Sequence, residues 1–203
     1  MKKVFFIGAM MLFGTMMFNT VYAQTPEQKA ELAKLRGQRQ INQAKRNVEA
    51  TCYDDDKYMA EIGYADGMAN RDLAIKNALA NCQRSLKLRL EQVVKGVIDD
   101  FSSRTELSSD GKITDAELRD LDNGFHSVIN KSIGRTIKCY SDVQKNQKGS
   151  FDAEYNAKIS IDEFIKECET VVESDATLRV KTNMDAFRAS FRENFSEESE
   201  ANK

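Results

Sequence analysis

Apolar residues recur along this chain with two distinct periods, and each change of period marks a change of element. From Lys57 to Ala65 they alternate, with Tyr58, Ala60, Ile62 and Tyr64 on one face, which predicts a strand ended by the Asp66-Gly67 turn. From Arg71 to Phe101 the step becomes three and four. Ala74, Ala78, Leu79, Cys82, Leu86, Leu90, Val93, Val97 and Phe101 form one stripe of a long helix, with small residues first and larger ones after. Residues 102–114 are a polar connection. A second helix is expected from Asp115 to Ser132, with Leu118, Leu121, Phe125, Val128 and Ile129 inward, a kink or break at Asn123-Gly124, and Gly134 at its C-cap.

Alternation then returns. Ile137, Cys139, Ser141 and Val143 share one face. After a turn over 145–150, Phe151, Ala153, Tyr155, Ala157, Ile159 and Ile161 share the next, with Asp152, Glu154, Asn156 and Lys158 facing out. A hairpin with one polar face predicts an antiparallel sheet covered by helices on one side. Ser160 and Glu163 form a capping box for a helix carrying Ile161, Phe164, Ile165, Cys168, Val171 and Val172. Leu178 and Val180 suggest a short strand. Met184, Phe187, Phe191 and Phe195 make a last helical stripe, expected to pack on the sheet, and residues 196–203 a charged, disordered tail. The fold class is therefore α+β, in a single domain over 51–195.

The first 50 residues follow another pattern. Lys2 and Lys3 precede an apolar run from Val4 to Phe18, and Val21-Tyr22-Ala23 precedes Gln24. A positive start, an apolar core and a small residue at the cut predict a signal peptide over 1–23, removed between Ala23 and Gln24. The run of about 15 residues is short of the roughly 20 that span a bilayer. No Cys follows the cut, so lipidation there is excluded, and no later stretch is apolar enough to cross a membrane. Residues 24–50 read as a polar helical leader: Thr25 caps it, Pro26 suits its first turn, and only Leu32, Leu35 and Ile41 are apolar along a basic, solvated surface.

Export changes how the rest is read. Without Lys2 and Lys3 the chain holds 28 basic against 32 acidic residues, a net charge near −4. That balance, with no Trp, argues against nucleic acid as a partner. Cys52, Cys82, Cys139 and Cys168 match no metal-ligand spacing, and His126 is the one histidine. In an oxidising compartment four cysteines are compatible with two disulfides in any of three pairings. The favoured pairing joins Cys52 with Cys139, both near strands, and leaves Cys82 with Cys168 between helices.

No residues group into a recognisable catalytic set. There is no C-x-x-C, no G-x-S-x-G and no second His to work with His126. The sharpest site candidate is residues 106–117, which can be laid on a calcium loop, with Glu106 at position 1, Ser108 at 3, Asp110 at 5, Gly111 at 6, Lys112 at 7 and Glu117 at 12. Glu106 and Ser108 stand where short carboxylates are normally needed. Asp110-Gly111 as a turn, with Thr114 and Glu117 as a capping box, explains the same residues, so neither metal nor cofactor is expected.

Two stretches carry a resemblance. Glu61-Ile-Gly-Tyr-Ala-Asp-Gly-Met-Ala, followed by Ala74, Ala78 and Leu86, and later Thr136-Ile-Lys-Cys-Tyr with Gly149-Ser-Phe-Asp-Ala-Glu-Tyr-Asn-Ala-Lys-Ile, resemble the LPP20 family of bacterial envelope proteins across about 52–195. The resemblance implies an exported or outer-membrane-associated protein and supplies no catalytic residues. Many members are lipoproteins; Gln24 in place of Cys means that lipid anchoring is not implied here. The expectation is a non-catalytic exported envelope protein, structural or interaction-mediating, in the periplasm or outside the cell. Its expected partners are envelope proteins or a second copy of the chain, through which it would meet the outer membrane. A calcium-binding module, or an enzyme with an unrecognised site, is the alternative.

Overall fold

The computed structural model describes residues 51–103 and 113–201, all within one compact unit over 50–203. The expected signal peptide and leader, and the Glu106, Ser108, Asp110 and Lys112 positions, lie outside the described residues. Within them are three strands, β1 (Tyr58–Met68), β2 (Ile137–Lys145) and β3 (Phe151–Ser160). Five helices accompany them, α1 (Arg71–Ser103), α2 (Asp115–Ile133), α3 (Ile161–Ser174), α4 (Ala176–Lys181) and α5 (Met184–Ala201). The strands form one antiparallel sheet in the order β1-β3-β2, and helices pack against it. The α+β class is as expected.

The long helix α1 is the shared wall of the core. Its first turns present Ala74 and Ala78 to Ala65 and Ala153 in a small cluster. Its later turns carry Cys82, Leu86, Leu90, Val93 and Val97 into the main core. Gly63 sets the approach: a Cβ there would overlap the Ala78 carbonyl oxygen and the Cys82 amide. This contact reverses the expected face of β1. Met59, Gly63 and Ala65 turn toward α1, and Tyr64 is 53% exposed on the opposite face. Alternation was legible, but small residues, not aromatic ones, let a helix come close.

Other expectations also change. In α2, Gly124 does not split the helix; it leaves room for Val171 of α3, whose Cγ1 would overlap a Cβ there. Leu178 and Val180 lie in α4 rather than in a strand. Asp175 ends α3, with its N–H donating to the Val172 carbonyl, and starts α4, with its carboxylate accepting from Thr177 and Leu178 amides. In β2 a bulge between Lys138 and Tyr140 interrupts the alternation at Cys139 and leaves Ile137 exposed.

The rings of Phe187, Phe191 and Phe195 pack on phenylalanines of α1, α2 and α3, so the stripe serves chiefly to pack helix on helix. Phe187 meets Phe101 and Phe125, Phe191 meets Phe125 and Phe164, and Phe195 meets Phe164 at 5.8 Å, edge to face. Helix α5 then continues to Ala201, so the tail expected from Ser196 is helical through most of its length. Burial of Glu198, described below, is the physical reason.

Candidate functional site

Around Arg89 the chain gathers charge that its sequence scatters over 144 residues. Arg89 continues the α1 stripe at three residues after Leu86, so its guanidinium enters the core side and is only 7% exposed. Three carboxylates and one carbonyl converge on it. Nε donates to both oxygens of Glu198 at 2.7 and 2.8 Å. Nη2 donates to Asp54 Oδ2 at 2.5 Å and also pairs with Glu198 Oε2 at 2.6 Å. Nη1 donates to Glu61 Oε1 and to the Ala60 carbonyl, both at 3.0 Å.

Burial works against charge on Arg89, but hydrogen bonds from it to Glu198 and Asp54 outweigh that and hold its proton more tightly than in water. Burial would likewise raise the Asp54 carboxyl. The hydrogen bonds it accepts from Arg89 and from the Ala60 amide win, and its pKa lies below the ordinary value. Arg89 and Asp54 are thus held ionised: a guanidinium with its donors engaged is a structural tie, not a proton carrier.

Asp54 belongs to a strap, residues 51–56, that runs from Asn156 on the face of β3 turned away from α1 to the Ala60 amide at the edge of β1. Arg89 holds it, as do hydrogen bonds of Thr51 with the Tyr140 side chain and of Asp54 with Ser199. Cys52 is disulfide-bonded to Cys139 at the β2 bulge. The Cys52 amide donates to Asn156 Oδ1 at 2.7 Å, and Asn156 Nδ2 donates to the Cys52 carbonyl at 3.2 Å and the Glu61 carbonyl at 3.0 Å. Asp54 Oδ1 accepts from the Ala60 amide at 2.8 Å. Asn156, expected to face solvent, is therefore 0% exposed. Alternation placed it on the correct face, but the strap that covers that face has no periodic signal.

Beside the strap lies a cleft of about 350 Å³, lined among others by Met59, Ile161, Phe195, Asp56, Arg192 and Glu200. Arg89 and Asp54 also line it. The other candidates lie elsewhere. His126 sits on an exposed part of α2 with Asp122 Oδ1 at 3.6 Å. Both oxygens of Glu117 are engaged: Lys181 Nζ donates to them at 2.8 and 3.1 Å, and the Thr114 amide donates to Oε2 at 2.7 Å. The capping box is formed as the sequence suggested. Among the described residues, no three His, Cys, Asp or Glu side chains are arranged to hold a metal ion.

The cysteine pairing is half as expected. Cys52 and Cys139 are joined; Cys82 and Cys168 are free and buried. The reason is geometric. Cys82 faces β1, its thiol donating to the Glu61 carbonyl at 3.3 Å, while Cys168 lies on α3 in the packing against α2. Burial pushes the Cys82 thiol up to about 11 and the Cys168 thiol well above its ordinary value, so both are inert, uncharged core residues.

No protein-family model matches the chain, and neither the curated proteins nor the solved structures contain a match to it. No described helix is long and apolar enough to cross a membrane.

Proposed function

We propose that this chain is a non-catalytic exported protein of the cell envelope, related to the LPP20 family, that works by contact with other envelope proteins. The observation that carries the reading is the Cys52–Cys139 disulfide, because a half-buried bond of this kind persists in an oxidising compartment and not in a reducing cytosol. The signal-like first 23 residues point to the same compartment. The strongest ionisable cluster supports a non-catalytic role, since its donors are spent on tying strap, β1, α1 and α5 together.

The test is fractionation of cells after free thiols are alkylated in situ, followed by crosslinking of the envelope fraction. The expected species begins at Gln24, carries no more than two alkylated cysteines after denaturation, and crosslinks to defined envelope proteins. A cytosolic chain that keeps Met1 and four alkylatable thiols would overturn the proposal.

A further inference from the structure

The disulfide is the one covalent cross-link of the strap, and its hydrogen bonds can be given up without stranding a buried charge; the Tyr140 hydroxyl, which also meets Thr51, keeps Glu154. If Asp54 leaves, Arg89 still has Glu198 on Nε and Nη2, and Glu61 with the Ala60 carbonyl on Nη1. Three carboxylates around one guanidinium also repel one another, so removing one relieves the other two. If Cys52 leaves, Asn156 keeps the Glu61 carbonyl and meets water as its face opens. Breaking a buried ion pair is costly when it leaves one ion alone; here none is left alone.

We infer that the Cys52–Cys139 bond is a dithiol-exchange site that latches residues 51–56 over the sheet, and that its reduction lifts the strap while the helical core stays folded. The exchange is with a dithiol, a small molecule or a thiol–disulfide oxidoreductase. One thiolate of the reductant attacks a sulfur of the pair and forms a mixed disulfide, and the other cysteine leaves as a thiolate. The second thiol of the reductant then displaces the bound cysteine. Two electrons pass to the chain, two protons complete Cys52 and Cys139 as thiols, and the reductant ends as a disulfide. Both cysteines are half-buried rather than enclosed, which admits a small reductant. The free thiols Cys82 and Cys168, wholly buried, take no part. Lifting the strap also removes Asp54 from the amide of Ala60 on β1, an edge strand, and returns that edge to solvent.

Hydrogen exchange of the full chain, with and without dithiothreitol, tests this at separate amides. The expected result on reduction is exchange at least tenfold faster at Cys52 and Ala60, through an opening insensitive to low denaturant, while α1 amides between Cys82 and Val97 still exchange only through the denaturant-sensitive global unfolding that the lost cross-link makes easier. The Cys52→Ser, Cys139→Ser double variant should exchange like the reduced chain without reductant. Unchanged exchange at the strap overturns the latch, because the remaining bonds then hold it alone. The same denaturant sensitivity at Cys52 and Ala60 as throughout α1, or a double variant that does not fold, also overturns it, because the bond is then only a staple of the whole unit.

Discussion

One missing methyl group determines how closely the sheet and α1 meet. At Gly63 the backbone of β1 runs so near the Ala78 carbonyl and the Cys82 amide that any Cβ must push two backbones apart. Gly63→Ala is expected to destabilise the fold by at least about 2 kcal/mol, read from denaturant midpoints, as for overpacking that no rotamer can relieve. A cost below about 0.5 kcal/mol would mean that the strand slides freely on the helix. Glu117 makes a second argument at this scale. Its hydrogen bond with Lys181 is the main cause that draws its carboxyl from 4.5 to about 2, and the Thr114 amide adds to it. A carboxyl whose pKa falls on folding stabilises above its unfolded value, and that stability is lost as pH drops from about 4.5 toward 2. Wild type should therefore exceed Glu117→Gln in thermal stability at pH 7, and the two curves should converge below about pH 3. A gap that stays constant across that window would remove the ion pair from the account.

At the scale of elements, Asp175 does two tasks between α3 and α4. It closes one helix with its N–H and opens the next with its carboxylate. Asp175→Ala should cost about 1 kcal/mol, the usual loss for an N-cap, while Asp175→Ser should recover most of it. Equal melting of all three chains would show that packing of Leu178, not the cap, places α4. The same element shows where the sequence is mute. Periodicity needs several turns to declare itself, and the six residues of α4 supply fewer than two. Longer elements were legible in kind: α1, α2, β1 and β3 follow their periods. The covered face of β1 was not legible, because both of its faces carry apolar residues and the choice rests on size at Gly63 and Ala65. Arg89 could have been found: a charge at a core step of an otherwise apolar stripe demands a partner. Two of its partners could not, since Asp54 and Glu198 lie in segments with no period, the second in a stretch expected to be disordered, while Glu61 lies on the periodic strand β1.

Across the whole molecule, the disulfide and α1 act on different states. Helix α1 touches the sheet, α2 and α5, so native cooperativity passes through it. The disulfide spans 87 residues and acts chiefly on the unfolded chain, whose freedom it cuts by about 4–5 kcal/mol in the chain-entropy treatment. For a unit of this size that corresponds to a fall in Tm of roughly 10 °C on reduction, at neutral pH and with a single transition retained. A latch adds a feature that a staple alone lacks: part of the loss comes from native-state loosening at the strap, so local exchange there should rise well below the melting range. The two contributions separate by temperature. Circular dichroism melts with and without dithiothreitol give the global term, and Cys82→Ser, which leaves the bond intact, controls for thiol chemistry in the core. An unchanged Tm on reduction would mean that the closed loop does not restrict the unfolded chain, and the stapling argument would fail.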